Sequence, residues 1–311
     1  NINIEYMPVR IPSSLPAVEE LKSENIFVID EQRASSQDIR PLRIAVLNLM
    51  PLKIMTETDL LRLLSNTPLQ IELDLIEVDG HESKNTPREH LDTFYKKFDD
   101  VKSSNYDGFI ITGAPVEKMD FEDVDYWGQL EEIFSWAKTH VTSTLYICWA
   151  GLAGLYYRYG IKKILLDKKL SGVFEHKVYN HKNPIFRGFD DVFYAPHSRH
   201  STLLKEDVLK HDELEVISEG DQCGVYMVMG RGGREFYILG HPEYSPNTLD
   251  FEYKRDLGLG LNPHIPDNYY EGNNPENEVI VRWRSHANLL YSNWLNYFVY
   301  QETPYDIRNI K

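Results

Sequence analysis

From Leu42 onward the chain alternates between two hydrophobic rhythms. Leu42-Arg43-Ile44-Ala45-Val46-Leu47 is an apolar run that stops at Asn48 and Pro51, as a buried strand does. Residues 56–65 carry leucines at 60, 61, 63 and 64 behind acids in the first turn, which predicts a helix. Residues 70–78 set Ile71, Leu73 and Leu75 against Glu72 and Asp74, the alternation of a strand. Helical spacing returns over 87–99. Residues 108–112 form a short apolar strand that runs into Gly113-Ala114-Pro115. Over 124–140, Trp127, Leu130, Ile133 and Trp136 share one helical face. Residues 144–148 read as a further strand, and the small residues of 150–159 predict a helix packed close behind it.

Strand–helix alternation of this kind specifies an α/β fold, a mostly parallel sheet with helices on both faces. Ligands of such sheets gather at the carboxyl ends of the strands, so loops 48–53, 113–117 and 148–149 are expected to meet. The second half is richer in strands. Residues 226–229 and 235–239 flank Gly230-Arg231-Gly232-Gly233-Arg234, which reads as a hairpin turn because no helix follows to complete a phosphate cradle. A helix is expected over 248–257 and a long aromatic one over 280–300. Trp294, Tyr297 and Tyr300 on the latter predict a homodimer surface. With no repeat or linker in view, residues 7–311 read as one domain, its core at about 40–260 with additions at both ends. Residues 1–6, ahead of Met7, read as a cloning scar.

Charge narrows the field. Among 311 residues, 48 Asp and Glu outweigh 33 Lys and Arg, for a net charge of −15. That balance repels nucleic acids and anionic membranes, and the densest basic run, Lys162, Lys163, Lys168 and Lys169, is short. An anionic substrate therefore needs locally placed cations. No stretch of 18 apolar residues appears, and two cysteines 75 positions apart form no disulfide framework, so a cytoplasmic protein is expected.

Cys148 closes an apolar strand and is followed by Ala150 and Gly151, the layout of a nucleophile elbow. A helix N-terminus behind the thiol favours thiolate, and the N–H of Trp149 is aimed to stabilise an oxyanion. The same layout fits a buried, inert cysteine, and these residues alone leave both readings open. His241-Pro242-Glu243 tips the balance. In an extended segment positions i and i+2 point the same way, so Glu243 can orient the imidazole of His241. Thiol, imidazole and carboxylate together supply covalent acyl transfer. His197, Ser198, Arg199 and His200 lack carboxylate or cysteine ligands at suitable spacing, so no metal is expected. Lys169 and Arg255 read as surface charges, and Cys223, in a loop-like Asp-Gln-Cys-Gly setting, as incidental.

Cys148 after a strand, with His241-Pro242-Glu243 downstream, resembles the class I glutamine amidotransferase arrangement, a flavodoxin-like fold. The chain is more closely similar to the homoserine O-acyltransferases, through Arg40-Pro41-Leu42, Asn48-Leu49-Met50-Pro51, Ile111-Thr112-Gly113-Ala114-Pro115, Lys169-Leu170-Ser171-Gly172-Val173, Ala195-Pro196-His197-Ser198-Arg199 and Asn293-Trp294-Leu295-Asn296-Tyr297. The resemblance implies Cys148 as acyl-thioester nucleophile, His241 as proton acceptor and Glu243 as its partner. It implies substrate contacts at Lys169, Ser198 and Arg255, with Arg255 clamping the homoserine carboxylate. Backbone N–H groups at Trp149 and near Met50 are the expected oxyanion donors. Acetyl-coenzyme A is implied as co-substrate, with no permanently bound cofactor, because Glu117 occupies the position where family members with glycine use succinyl donors and those with glutamate use acetyl donors. Two rivals share the fold, a glutaminase subunit and a redox sensor or chaperone. Tyr146 stands against the first, since that elbow ordinarily carries glycine there.

Overall fold

The computed structural model describes residues 9–10, 12, 14–23, 40–80, 83–304 and 306–310. The scar expected at 1–6 lies outside them. Among the described residues one sheet is built from β1 (Val9–Arg10), β2 (Leu42–Leu47), β3 (Ile71–Glu77), β4 (Tyr95–Lys97), β5 (Tyr106–Ile111), β6 (Val141–Ile147), β7 (Ile164–Val178), β8 (Val192–Thr202), β9 (Leu214–Gly220), β10 (Gly224–Gly230) and β11 (Glu235–Ile238). The helices are α1 (Pro16–Ser23), α2 (Lys53–Leu64), α3 (Arg88–Phe94), α4 (Phe98–Val101), α5 (Trp127–His140), α6 (Trp149–Tyr159), α7 (Lys205–Val208), α8 (Thr248–Gly258) and α9 (Arg284–Asn293).

In hydrogen-bonded order the strands run β1-β3-β2-β5-β6-β11-β10-β9-β7-β8, with β4 beside β3. Pairings from β1 to β11 are parallel. From β11 to β8 they are antiparallel, so the strand-rich second half extends a parallel sheet. Successive side chains of the central strands enter opposite cores. Ile44 and Val46 join the core under α2 and α9, while Ala45 and Leu47 join the one under α5 and α6. A strand covered on both faces has no solvent side, which is why β2 reads as an unbroken apolar run. The Gly230–Arg234 segment turns the β10–β11 hairpin as expected, with Gly230 opposite Glu235.

Two expected helices are corrected. Residues 87–99 are broken, because Tyr95–Lys97 leaves the helix to pair with Leu75–Glu77 as β4. The Tyr95 hydroxyl is drawn inward, donating to Glu57 Oε1 at 2.5 Å and accepting from Asn48 Nδ2 at 2.9 Å. The 280–300 helix starts only at Arg284 and becomes a π-helix over Trp294–Tyr300. Trp294 is fully buried and cannot serve a dimer surface: its Nε1 donates to Ser143 Oγ at 2.9 Å, and its ring lies over Gly108. Tyr297 is half-buried and accepts from Arg187 at 2.8 Å, leaving Tyr300 as the exposed member of the three.

β2, β5, β6 and β11 are neighbours in the sheet, so the loops at their carboxyl ends meet in space.

Candidate active site

Cys148 is the single residue between β6 and α6, with φ 52° and ψ −113°. A positive φ at a residue with a Cβ costs about 1–3 kcal/mol and persists only where its surroundings over-determine it. Here the Cys148 N–H donates to Ile238 O at 2.6 Å, and small residues let α6 approach the sheet. A Cβ on Gly151 would stand 3.3 Å from both Leu239 Cδ2 and the Tyr146 carbonyl. Tyr146 fits in place of the glycine usual in amidotransferase elbows because Gly154 opens room for its ring, which stacks on Tyr237 at 4.8 Å.

His241 and Glu243 follow β11, but not as an extended segment. Tyr244 N–H closes a turn onto His241 O at 3.1 Å, with Pro242 and Glu243 at its corners. The expected contact forms nonetheless: His241 Nδ1 lies 2.7 Å from Glu243 Oε1. The imidazole stacks on Tyr244, centroids 4.2 Å apart, and borders the same cavity as the Cys148 thiol. All three residues are buried. Burial alone would push His241 down, but the charges of Cys148 and Glu243 outweigh it and hold the imidazole well above its ordinary range. Burial pushes the Cys148 thiol up, His241 opposes that rise, and Glu117 adds to it. Gly113 brings the chain close beneath them, since a Cβ there would lie 3.2 Å from His241 Cε1 and 3.4 Å from Cys148 Cβ.

Thiol and imidazole open into a cavity of about 260 Å³ that also takes in Met50, Glu117, Lys169, Ser198 and Arg255. Every side chain that the sequence nominated for substrate thus borders the same space. Glu117 Oε2 accepts the His200 N–H at 2.8 Å, and burial pushes its carboxyl up. Lys169 stands 3.5 Å from both Glu252 and Asp256, and Ser198 Oγ donates to Glu252 Oε2 at 2.5 Å. Arg255, partly exposed, pairs with Asp256 at 2.7 Å. The Met50 N–H, expected as an oxyanion donor, is instead given to Asn48 Oδ1 at 3.2 Å, whereas Trp149 begins α6 directly beside the thiol. Sequence reasoning missed Glu252 and Tyr244, whose hydroxyl donates to Glu252 Oε1 at 2.8 Å. The one available signal was spacing: Glu252 and Arg255 are three apart on α8 and share a face.

Cys223 has imidazole neighbours of its own. It is buried beside His176, Sγ to Nε2 3.2 Å, and His176 Nε2 meets His197 Nε2 at 2.9 Å. These atoms converge as metal ligands do. The donor chemistry argues otherwise, because Arg199 Nε donates to His197 Nδ1 at 3.1 Å and so leaves the proton of a neutral ring on Nε2, where a metal would bind. Nor does this thiol–imidazole pair match the first. Burial pushes the Cys223 thiol up to about 11 and His176 down to about 3, so both stay neutral, and among the described residues no carboxylate bonds His176 to favour imidazolium.

No helix of the described residues is long and apolar enough to cross a membrane. Among solved structures, a glutamine amidotransferase from Thermotoga maritima superposes with a TM-score of 0.53 at 12% identity, covering 83% of this chain and 98% of that one, a likeness of fold. A homoserine O-acetyltransferase of Bacteroides fragilis is 64% identical over 98% of this chain and the whole of that protein. A homoserine O-succinyltransferase of a Shewanella species is 54% identical over 98% of this chain and 96% of its own length. The family model described as homoserine O-succinyltransferase matches residues 8–305, and the chain belongs to that family of acyltransferases.

Proposed function

We propose that the chain transfers an acetyl group from acetyl-coenzyme A to the hydroxyl of L-homoserine through a thioester on Cys148. The observation that carries the reading is the buried Cys148–His241–Glu243 set opening on a cavity that also holds Glu117 and a cation–carboxylate cluster. His241 takes the Cys148 proton while Glu243 steadies the imidazolium through Nδ1. The thiolate attacks the thioester carbonyl, the bond from that carbon to the coenzyme A sulfur breaks, and the departing thiolate takes the proton from His241. The homoserine hydroxyl then enters and gives its proton to His241. Its oxygen attacks the acetyl carbon, the bond to Cys148 Sγ breaks, and the ester leaves as the proton returns to sulfur. The Trp149 N–H is the donor for the oxyanion of both adducts. Every proton and electron pair is accounted for by Cys148, His241 and two substrates, so no resident cofactor is called for.

Arg255 suits the homoserine carboxylate, and Glu252, held by Ser198, Tyr244 and Lys169, suits its ammonium. Glu117 selects the donor. A succinyl carboxylate at about 4 Å from it, at an effective dielectric near 20, is opposed by about 4 kcal/mol, and the side chain fills space that the longer acyl group needs. The work belongs in the cytoplasm, where free thiols such as Cys148 stay reduced.

The test is to incubate the protein with labelled acetyl- and succinyl-coenzyme A and weigh the Cys148 peptide. Acetyl on that peptide, parallel double-reciprocal lines and no turnover by a folded Cys148→Ala variant are expected. Glu117→Gly should gain succinyl transfer. Native preference for the succinyl donor would overturn the acetyl assignment, and intersecting lines would overturn the covalent route.

A further inference from the structure

Arg199 lies in β8 with 1% of its surface exposed, yet every hydrogen bond it makes goes to a neutral acceptor. Nε donates to His197 Nδ1 at 3.1 Å, Nη1 to the Ser201 carbonyl at 2.6 Å and Nη2 to the Cys223 carbonyl at 2.5 Å. Among the described residues it forms no ion pair. A buried cation without a counter-charge is strongly unfavourable, so the surroundings must answer it. The groups whose charge reaches it are Cys148, Cys223 and Glu117. Cys223 is held as a neutral thiol, which leaves the other two.

The site needs such a charge. Cys148, in the turn from β6 to α6, lies within reach of the charges of His241 and Tyr244 from the turn after β11, Glu117 from the loop after β5 and Arg199 from β8, while Glu243 pairs with His241 Nδ1. His197 of β8 and His176 of β7 back Arg199 and are neutral. When the thiol gives up its proton, thiolate, Glu117 and Glu243 make three anions against one imidazolium. The segment around Arg199 also anchors the partners: His200 N–H holds Glu117 Oε2 at 2.8 Å, and the Pro196 carbonyl accepts His241 N–H at 2.8 Å.

We propose that Arg199 is a positioning residue of the acyl transfer, a buried guanidinium held on neutral acceptors so that its charge balances Glu117 and the Cys148 thiolate. This rests on the reading of Cys148 as nucleophile. The charge lets the thiol ionise beside a carboxylate that donor selection requires, and it leaves that carboxylate ionised.

The test uses the whole protein without substrates: the rate of Cys148 alkylation by iodoacetamide against pH, with the modified peptide identified by mass. In Arg199→Gln the midpoint should move up by about 1–2 pH units, the effect of losing a nearby opposite charge. Arg199→Lys should hold the midpoint within about half a unit of native. Adding Glu117→Gln to Arg199→Gln should bring it back down, a rescue that repair of packing does not predict. Should Arg199→Gln fail to fold, Glu117→Gln alone must lower the native midpoint. An unmoved midpoint in Arg199→Gln, no rescue, or an unmoved midpoint in Glu117→Gln overturns the proposal. Native protein that resists alkylation at Cys148 at every pH would instead refute the nucleophile, and this inference with it.

Discussion

At the scale of single residues, what distinguishes Cys148 from Cys223 is the company each keeps. Both are buried and both have an imidazole for a neighbour, but only His241 has a carboxylate at 2.7 Å to stabilise its protonated form. Gly113 has a comparable influence without any chemistry of its own. A methyl group there meets His241 Cε1 at 3.2 Å, so the ring must give by a fraction of an ångström. Gly113→Ala is expected to lower kcat roughly 3–10-fold, since a full 1 Å misplacement costs about 100-fold. Its unfolding midpoint should barely move, and steady-state kinetics with a denaturant titration check both halves. Arg255→Lys keeps charge but loses the fork, so the KM for homoserine should rise by the equivalent of roughly 1–3 kcal/mol. Acylation of Cys148, followed by mass, should proceed at the native rate. An equal loss in acylation would place Arg255 on the donor side.

At the scale of elements, the π-helical stretch and β5 are made for each other. A Cβ on Gly108 would come 2.7 Å from Ile44 Cδ1 and 2.8 Å from the Trp294 ring. Only a glycine in mid-strand lets the indole reach Ser143, and that reach accompanies the change of helical register at Trp294. Gly108→Ala should destabilise by about 1–3 kcal/mol through overpacking. Trp294→Leu in the same chain should recover part of that loss, which a double-mutant cycle of unfolding free energies measures. If the two effects simply add, the contact does not set the register.

At the scale of the whole molecule, the buried histidines tie stability to pH. Burial first, and the Arg199 charge second, hold His176 down at about 3, far below the ordinary 6.5. The unfolded chain then binds a proton that the folded chain refuses. Stability from this group is therefore full above the ordinary histidine value and falls as pH drops from about 6.5 toward 3, by on the order of 5 kcal/mol for a shift of that size. His197 is shifted in the same direction and steepens the fall. His176→Gln should flatten the dependence of unfolding free energy on pH across that window while lowering stability at neutral pH. A slope identical to native would show that other groups govern acid unfolding.

The sequence by itself determined the parallel half of the sheet, the elbow at Cys148 and the pairing of His241 with Glu243. Each is written in local spacing: a strand buried on both faces reads as an unbroken apolar run, and residues two apart are near enough to pair, although they do so in the turn that Tyr244 closes on His241 and not in an extended segment. It determined far less of the substrate wall. β8 stands at the far end of the hydrogen-bonded order, yet Pro196 holds His241 and His200 holds Glu117. Glu252 looked like one acid among many until α8 set it against Ser198 and Tyr244. Trp294 looked like an interface residue until Gly108 made room for it in the core. Tertiary structure decided these because whether a polar or aromatic side chain is buried depends on a partner from a distant segment, and hydrophobic periodicity records only which face of an element turns inward.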